Sequence, residues 1–302
     1  MTWTLTGNLD DYLAIAGGFL RSRPVQNTIQ LVALELLRVR GPSAFGDVAP
    51  LFGWWRPAAG PVTAALMHTP PYPVLLTRLP ANSAGDLAEA LAGRGRQLPG
   101  VNAERGDAEA FAAAWSGLAG AGWREFRRSR LFQLGQLTPP DPRPPGAARV
   151  ASAADRGLLE PWLDAFRQEL ADLGEPGRGM VEDRISYGGL TLWEAGGAAV
   201  SLAGRSRPAE GVVRVGPVYT PPEHRRRGYG GAVTAAVSQA ALEAGAAYVA
   251  LFTDLANPTS NALYRRLGYR PVEDRLVLKF EPQSPSQEEN QGLPRPNVSG
   301  IR

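Results

Sequence analysis

The feature that most constrains this chain is a strand pattern that runs into a glycine turn and then into a helix. Residues 213–219, VRVGPVY, form an apolar run rich in β-branched side chains, and the turn from Arg225 to Gly230 reads Arg-x-x-Gly-x-Gly. An Ala-rich helical pattern begins at Gly230. The first N–H groups of a helix lack partners within the helix, and the helix dipole favours an anion at that end. The turn is therefore a candidate phosphate site.

The residue types in the turn fit this interpretation. Gly228 and Gly230 carry no side chain, so a phosphate can approach the backbone closely and positive φ angles are accessible. The arginines at 225–227 add positive charge at the same end. Two other phosphate motifs do not fit, because the third glycine of a dinucleotide motif would fall at Val233 and because no lysine follows the glycines as in a P-loop.

The segment 213–269 resembles the GNAT superfamily of N-acetyltransferases, whose acetyl-CoA loop has the pattern Gln/Arg-x-x-Gly-x-Gly/Ala. The resemblance covers the strand, the loop, the helix, the next strand at Tyr248–Thr253, and a short helix that starts after Asn257 and carries Tyr264. It implies an α/β fold with a mixed α+β sheet, the acyl-CoA N-acyltransferase fold of the GNAT enzymes. It also implies acetyl-CoA as co-substrate and no metal.

The length of 302 residues allows two domains of ordinary size. The Pro-rich stretch TPPDPRPPGA separates two halves and is typical of a semi-rigid linker. We predict an N-terminal lobe at 1–137, a linker at 138–146, a C-terminal acetyltransferase domain at 147–281 and a disordered tail at 282–302.

The second half shows the element order β-α-α-β-β-β-α-β-α-β, which is the order of the GNAT fold. In the first half the patterns predict a helix at 27–40, strands at 62–69 and 74–79, and a helix at 83–92. A short strand, a helix at 107–118 and a long strand at 125–137 follow. This order echoes the second half and predicts tandem GNAT-like lobes. The equivalent loop in the first half, Leu79 to Ser83, has no Gly-x-Gly and no arginine cluster, so that lobe is not expected to hold CoA.

Composition excludes several classes of function. The chain has no cysteine, which excludes disulfides, cysteine–metal sites and a cysteine nucleophile, and its two histidines, His68 and His224, exclude a His-rich zinc site. A formal net charge of +3 is too small to indicate nucleic-acid binding, and the arginines are scattered. The N-terminus lacks the features of a signal peptide, and no apolar run reaches the ~18 residues that span a bilayer. We therefore expect a cytoplasmic protein that acts on a small-molecule or peptide amine, with neither nucleic acid nor membrane as partner; the oligomeric state stays open.

The resemblance assigns the co-substrate-binding residues. The backbone at the end of the strand is expected to bond the pantetheine arm and to polarise the thioester carbonyl, and the backbone of the loop is expected to cradle the pyrophosphate. The strand residues are Val218, Tyr219 and Thr220, and the loop residues are Arg226, Arg227, Gly228, Tyr229, Gly230 and Gly231. Gly216-Pro217 is expected to form the bulge that separates this strand from the next. Asn257 is expected to bond the pantetheine, to cap its helix, or to do both.

Tyr264 is the predicted catalytic residue. It lies seven positions after Asn257, about two helical turns along the same face, and in many GNAT enzymes a tyrosine here protonates the departing CoA thiolate. A phenol with a pKa near ~10 is protonated at neutral pH and can donate. The alternative role is a half-buried packing tyrosine, which is the interpretation we give to Tyr269.

The general base is not identified by the sequence. The candidates are acidic residues in and after the first helix of the second half: Glu169, Asp172, Glu175, Glu182 and Asp183. Together they mildly favour a cationic amine as acceptor, although Arg167, Arg178 and Arg184 interleave with them. Glu223 and His224 precede the loop, where a solvated pair is the more common arrangement.

These observations predict an N-acetyltransferase that moves an acetyl group from acetyl-CoA directly to a primary amine. Two alternatives stay open: a non-catalytic acyl-CoA-binding sensor or scaffold, and a tandem GNAT enzyme similar to mycothiol synthase. The absence of an evident base argues slightly for the sensor, whereas Tyr264 argues for chemistry.

Overall fold

The computed structural model describes residues 2–57, 59–170 and 179–282. The first half contains, in chain order, β1 (Thr2–Thr6), α1 (Leu9–Arg21), α2 (Thr28–Arg40), β2 (Leu51–Arg56), β3 (Ala64–His68), β4 (Val74–Leu76), α3 (Ser83–Ala92), β5 (Gly100–Glu104), α4 (Arg105–Ala119) and β6 (Ala121–Leu134). The second half contains β7 (Ala147–Val150), α5 (Arg156–Glu169), α6 (Met180–Ser186), β8 (Leu190–Ala195), β9 (Ala198–Arg205), β10 (Val212–Tyr219), α7 (Tyr229–Glu243), β11 (Tyr248–Asp254), α8 (Pro258–Arg266) and β12 (Tyr269–Pro282).

The two halves repeat one element order, β-α-α-β-β-β-α-β-α-β, as the sequence predicts for the second half and suggests for the first. The patterns did not reveal β1, α1 and β2. α1 contains two adjacent glycines, which weaken a helical pattern, and β2 is almost wholly buried, so it shows no alternation. Asn8 nonetheless caps α1, because its side-chain oxygen accepts from the backbone N–H groups of Asp10 and Asp11.

All twelve strands form one sheet in the order β1-β2-β3-β4-β5-β12-β6-β11-β10-β9-β8-β7. Each half contributes its last strand to the other half: β12 lies between β5 and β6, and β6 lies between β12 and β11. β6 and β12 pair antiparallel along their whole length, from Tyr269 opposite Leu134 to Pro282 opposite Ala121. The two lobes are thus joined through an exchange of strands at the centre of the sheet.

The hydrophobic cores show the same exchange. Leu276 and Leu278 of β12 are buried in the core under α3 and α4, whereas Phe132 and Leu134 of β6 are buried in the core under α7 and α8. Since Leu276 and Phe132 project from the same side of the β6–β12 pair, helices α3, α4, α7 and α8 cover one face of the sheet. Helices α1, α2, α5 and α6 cover the other face.

The Pro-rich linker is packed along the C-terminal lobe. Thr138 N donates to Leu267 O at 3.0 Å, and Trp193 Nε1 donates to Pro145 O at 3.0 Å. The guanidinium of Arg143 lies over the Trp193 ring, 5.2 Å from its centroid. The linker is non-helical, as its prolines predict, and it forms a wall beside the start of α7. Of the predicted tail, Pro282 is the last residue of β12, and 283–302 lie outside the described residues.

Candidate active site

The C-terminal lobe opens a gap in the sheet between β10 and β11. These strands are parallel neighbours only from Val212 to Val215, although β11 continues to Asp254 against β6. Between Val215 and Val218 the pairing of β10 with β9 shifts register, which confirms the bulge predicted at Gly216-Pro217. Beyond the bulge, the edge of β10 that faces β11 is free of ladder hydrogen bonds, so its backbone groups can bond another molecule.

The glycine turn follows directly, and of its two glycines Gly228 has a positive φ whereas Gly230 is part of α7. Gly228 caps α7 with φ = +83°, in the left-handed region that favours glycine. A Cβ on Gly230 would lie 3.3 Å from Thr220 Oγ1, and one on Gly231 would lie 3.0 Å from Leu263 Cδ1. The turn is thus a close-fitting cradle of main chain, and its N–H groups at the start of α7 suit a phosphate.

The arginines of the turn have different roles. Arg226 and Arg227 are exposed at the mouth of the cradle, and Arg226 has φ = +61°. Arg225 is tied to the protein, because its Nε donates to Thr220 O at 2.9 Å and its Nη2 pairs with Glu169 of α5. We infer that Arg225 fixes the turn to α5, which leaves Arg226 and Arg227 as the cations available to a bound anion.

The second predicted segment approaches the same place. Asn257 is the N-cap of α8, since its side-chain oxygen accepts from Ser260 N at 3.0 Å, which confirms the capping role. Leu263 lies against the first turn of α7 at Gly231, which places α8 beside the cradle. The Tyr264 ring is buried against Phe132 and Tyr269, with centroid distances of 6.4 and 6.0 Å.

Burial changes the acidity of Tyr264. Loss of solvent raises the pKa of its phenol to about 12, above the usual value near 10. Tyr269 differs because its hydroxyl shares a 2.6 Å hydrogen bond with Ser238 inside the core. Tyr269 is therefore the packing tyrosine, as expected, and Tyr264 keeps its proton throughout the neutral range.

The candidate bases are dispersed. Glu169 pairs with Arg225, and Glu182 pairs with Arg156 at 2.7 Å. Asp183 pairs with Arg207 at 2.9 Å. The candidates Asp172 and Glu175 lie outside the described residues. Among the described candidates, Asp183 is the one that lines a cavity shared with the β10 bulge.

This cavity lies on the face of the sheet opposite α7 and α8, between the two lobes, and has a volume of about 340 Å³. The N-terminal lobe lines it with the apolar side of α2, including Ile29, Val32 and Leu36, and the C-terminal lobe lines it with α6 and with Gly216 of the bulge. Sequence reasoning did not find it, because its residues come from elements far apart in the chain. Gly216 of the bulge lines this cavity, so the cavity reaches the point where β10 and β11 separate.

The equivalent place in the N-terminal lobe holds a buried arginine. β4 and β5 are parallel partners only at Val74 and Leu75, and beyond them the Arg275 guanidinium of β12 bonds to both strands. Arg275 is 5% exposed, and its Nη2 donates to the backbone oxygens of Leu76 at 3.0 Å and Asn102 at 2.9 Å. The carbonyl groups at this edge are therefore already bonded within the protein.

The loop that follows β4 also differs from the glycine turn. Leu79 N donates to Asp107 Oδ2 at 3.1 Å, so a carboxylate bonds to this loop. Glu104 approaches the loop as well and pairs with Arg78 at 2.7 Å. Two acidic side chains beside this loop disfavour a phosphate there, which supports the prediction that the N-terminal lobe does not bind CoA.

Comparisons with known proteins agree with this geometry. The sequence profile of the family described as FR47-like protein matches residues 199–277, from β9 into β12. Comparison with curated proteins gives no match. A GCN5-related N-acetyltransferase from Sphaerobacter thermophilus is similar in structure, with 17% identity, a TM-score of 0.60 and coverage of 92% of this chain and 95% of that one.

Two further solved structures cover most of the chain. An acetyltransferase of the GNAT family from Colwellia psychrerythraea has 10% identity, a TM-score of 0.56 and coverage of 93% and 99%. A GCN5-related N-acetyltransferase from Kribbella flavida has 24% identity, a TM-score of 0.51 and coverage of 73% and 87%. The chain therefore has the GNAT fold, a mixed α/β sheet with two GNAT-like lobes, as the sequence predicts. Its C-terminal lobe carries the FR47-like region and the glycine cradle.

Two negative findings concern the described residues. Within 2–57, 59–170 and 179–282, no group of three or more histidine, aspartate or glutamate side chains is arranged to hold a metal ion. Across the same ranges, no helix combines the length and apolar character required to cross a bilayer.

Proposed function

We propose that the protein is an N-acetyltransferase that uses acetyl-CoA and acts on a primary amine, with the C-terminal lobe as the catalytic lobe. The observation that supports this most is the glycine cradle that follows the gap between β10 and β11. The proposal rests also on the GNAT fold, whose solved members include acetyltransferases.

The residues that would hold acetyl-CoA fit its chemistry. Its pyrophosphate suits the main chain from Arg226 to Gly231, where the glycines leave room and the helix start and the arginines favour an anion. Its pantetheine amides suit the edge of β10 at 218–220, which has no ladder partner in β11, together with Asn257 near the start of α8. The Thr220 carbonyl at this edge already accepts from Arg225. The co-substrate supplies the acetyl group as a thioester.

The acceptor amine would reach the gap from the cavity. In a direct transfer the amine nitrogen forms a bond to the acetyl carbon, the carbon–sulfur bond breaks, and the amine loses a proton while the sulfur gains one. A backbone N–H of Val218, just beyond the bulge, is suited to polarise the thioester carbonyl. Asp183 is the described carboxylate best placed to bind the amine and take its proton.

Tyr264 would act on the leaving group. With its pKa raised to about 12, its phenol is a weaker acid than a thiol, whose ordinary pKa is about 8.5, so complete proton transfer to the thiolate is uphill. A hydrogen bond from the phenol to the developing thiolate stabilises negative charge without that cost. We therefore assign Tyr264 to stabilise the leaving sulfur as a hydrogen-bond donor.

The test is CoA release from acetyl-CoA, measured with a thiol-reactive dye against a panel of primary amines. The protein has no cysteine, so its own thiol background is absent. Saturable release that requires both acetyl-CoA and one class of amine is the expected result. Acetyl-CoA binding without release on any small amine or peptide would instead favour the non-catalytic sensor.

A further inference from the structure

Most of the charged side chains that line the cavity between the lobes are cationic. The described residues that line it include five arginines, Arg40, Arg127, Arg184, Arg207 and Arg214, against two carboxylates, Glu35 and Asp183. A cavity built to receive a purely cationic amine would be expected to show the reverse balance. The mild preference for a cationic acceptor that the acidic residues suggest is therefore not supported by the side chains that meet here.

Two of these arginines lack a carboxylate partner. Arg184 Nη1 donates to the carbonyl oxygen of Gly216 in the bulge at 2.8 Å. Arg214 lies near it on β10, and burial, with a smaller contribution from the charge of Arg184, lowers the pKa of Arg214 to about 10. Within the described residues, no ion pair joins Arg184 or Arg214 to an acid. Both guanidinium groups are charged at neutral pH, and an anion between them would relieve their repulsion.

Neighbouring glycine and tyrosine residues hold this arrangement in place. A Cβ on Gly204 would lie 2.5 Å from Arg184 Nη1, so glycine at this position leaves the space that the guanidinium occupies. Tyr187 lies beside both arginines and donates from its hydroxyl to Arg205 O at 2.9 Å. The arginine pair is thus fixed beside the bulge.

A carboxylate lies next to the arginine pair. Asp183 accepts from Arg207 Nη2 at 2.9 Å, and the Arg207 guanidinium lies over the Tyr187 ring at 4.2 Å. Arg207 Nε is buried and has no hydrogen-bond partner among the described residues. This group of side chains therefore offers guanidinium donors for an anion and one carboxylate for an ammonium.

The cavity is small, and much of its remaining lining is apolar, although Glu35 and Arg40 of α2 and Arg127 of β6 line it as well. α2 contributes Ile29, Val32 and Leu36, and Phe45 and Met180 add to the same wall. A volume of about 340 Å³ is at the lower end of the ~300–1,000 Å³ typical of ligand sites. It suits one small molecule with a compact apolar body.

We propose that the acceptor is an α-amino acid with an apolar side chain, its carboxylate bound by Arg184 and Arg214, its amine beside Asp183 and its side chain against α2. Because Arg184 bonds to the bulge itself, a carboxylate bound there would hold an adjacent amine within a few ångströms of the gap. An α-amino acid has this spacing, whereas an amine far from its carboxylate does not. That the bound amine is acetylated rests on the proposed function, whereas binding of the amino acid can be measured without turnover.

The experiment compares three L-amino acids, leucine, methionine and phenylalanine, each with the amine that lacks its carboxylate: isopentylamine, 3-(methylthio)propylamine and phenethylamine. CoA release gives kcat/KM for every compound, and isothermal titration calorimetry gives the Kd in the presence of CoA. For at least one amino acid, kcat/KM is expected to exceed that of its paired amine by more than about 10-fold. This ratio corresponds to more than about 1.4 kcal/mol from charge-assisted hydrogen bonds between the carboxylate and the arginines.

Variants locate the preference. Arg214→Gln is expected to bring the ratio of kcat/KM for the amino acid to kcat/KM for its paired amine close to one, and Arg214→Lys is expected to keep part of the preference. Arg56→Gln, at an exposed arginine on the distant strand β2, is the matched control and is expected to keep the full ratio. Circular dichroism and the Tm of each variant show whether it is folded.

The outcomes are separable. If the paired amines are acetylated as well as or better than the amino acids, the acetyltransferase stands and the inference about the carboxylate is overturned. If nothing is acetylated but an amino acid binds and Arg214→Gln abolishes the binding, the inference stands and the proposed function fails. If no amino acid of the panel binds or reacts, the inference is overturned.

Discussion

The two lobes have the same element order and the same sheet, yet they differ at the one place where a GNAT fold would hold its co-substrate. In the C-terminal lobe the gap beyond the bulge of β10 is open and a glycine turn of main chain follows it. In the N-terminal lobe the guanidinium of Arg275 bonds to both strands at the corresponding place, and Asp107 bonds to the loop that follows. The fold alone therefore does not make a site; a few residues at the end of one strand decide whether it can bind an anion.

The largest effect is expected from Arg275→Met, which removes the guanidinium that bonds to both strands at this place in the N-terminal lobe. Glu273 and the carbonyl groups of Leu76 and Asn102 would lose their partner in a buried place, so we expect a loss of about 3–5 kcal/mol in the free energy of unfolding. Urea denaturation measures this loss. Because the lobe has no glycine turn, calorimetry on the folded variant should still show one acetyl-CoA site per chain. A second site would mean that the Arg275 side chain, rather than the loop, excludes CoA.

The second-largest effect is expected from a change at the start of α7, which we compare with the same change at the start of α3. Gly230→Asp places a carboxylate at the second position of α7, where repulsion of the pyrophosphate by about 3 kcal/mol should weaken acetyl-CoA binding by more than about 100-fold. Ala84→Asp is the matched change at the second position of α3 and should leave the Kd unchanged. An acidic residue in the first turn stabilises a helix, so neither variant is expected to unfold. Equal weakening by both changes would contradict the assignment of the site to one lobe.

Substitutions of Tyr264 and Tyr269 in the C-terminal lobe distinguish a catalytic role from a packing role. Tyr264→Phe should lower kcat by about 100-fold, a typical loss when one hydrogen-bond donor to a developing charge is removed, and leave the Kd of acetyl-CoA within twofold. Tyr269→Phe is the control: it breaks the hydrogen bond with Ser238 and should lower the Tm with little effect on kcat. An unchanged kcat in Tyr264→Phe would show that Tyr264 only packs.

The smallest effect is expected in the N-terminal lobe, from Tyr12→Phe. The Tyr12 hydroxyl is fully buried and has no partner within the described residues, and burial raises the pKa of its phenol above the ordinary value near 10. Removing an unpartnered buried hydroxyl should leave stability at pH 8 unchanged or raise it by up to about 1 kcal/mol. A raised folded-state pKa means that stability is complete below about pH 10 and falls as pH rises beyond it. The variant should therefore lose less stability above pH 10 than the parent in thermal melts; a markedly lower Tm at pH 8 would point to an unseen partner.

The sequence correctly predicted those features that depend only on residues close together in the chain. The strand–turn–helix at 213–244, the cap at Asn257 and the bulge at Gly216 each depend on a few adjacent residues, and the structure has each of them where the sequence places it. The order of elements in the second half follows from periodicity alone.

The rest depends on which distant segments meet. β6 and β12 are both alternating strands, and nothing in either identifies the other as its partner, so the exchange of strands could not be predicted. The cationic cavity combines α6, β10 and α2, and no spacing rule relates arginines at 184, 207 and 214. The role of Arg275 could not be predicted for the same reason. Arg275 belongs to the second half of the sequence, but it donates a hydrogen bond to Leu76 O in the N-terminal lobe.

The shared central strands also set the order in which the chain can be built. Arg275 bonds to Asn102 across 173 positions of sequence, so the N-terminal lobe is missing a central strand until nearly the whole described chain has left the ribosome. During synthesis β5 and β6 expose the edges that β12 later occupies, and exposed strand edges invite pairing with other chains. A nascent chain that stops before residue 269 would leave both lobes incomplete, so we expect it to need a chaperone.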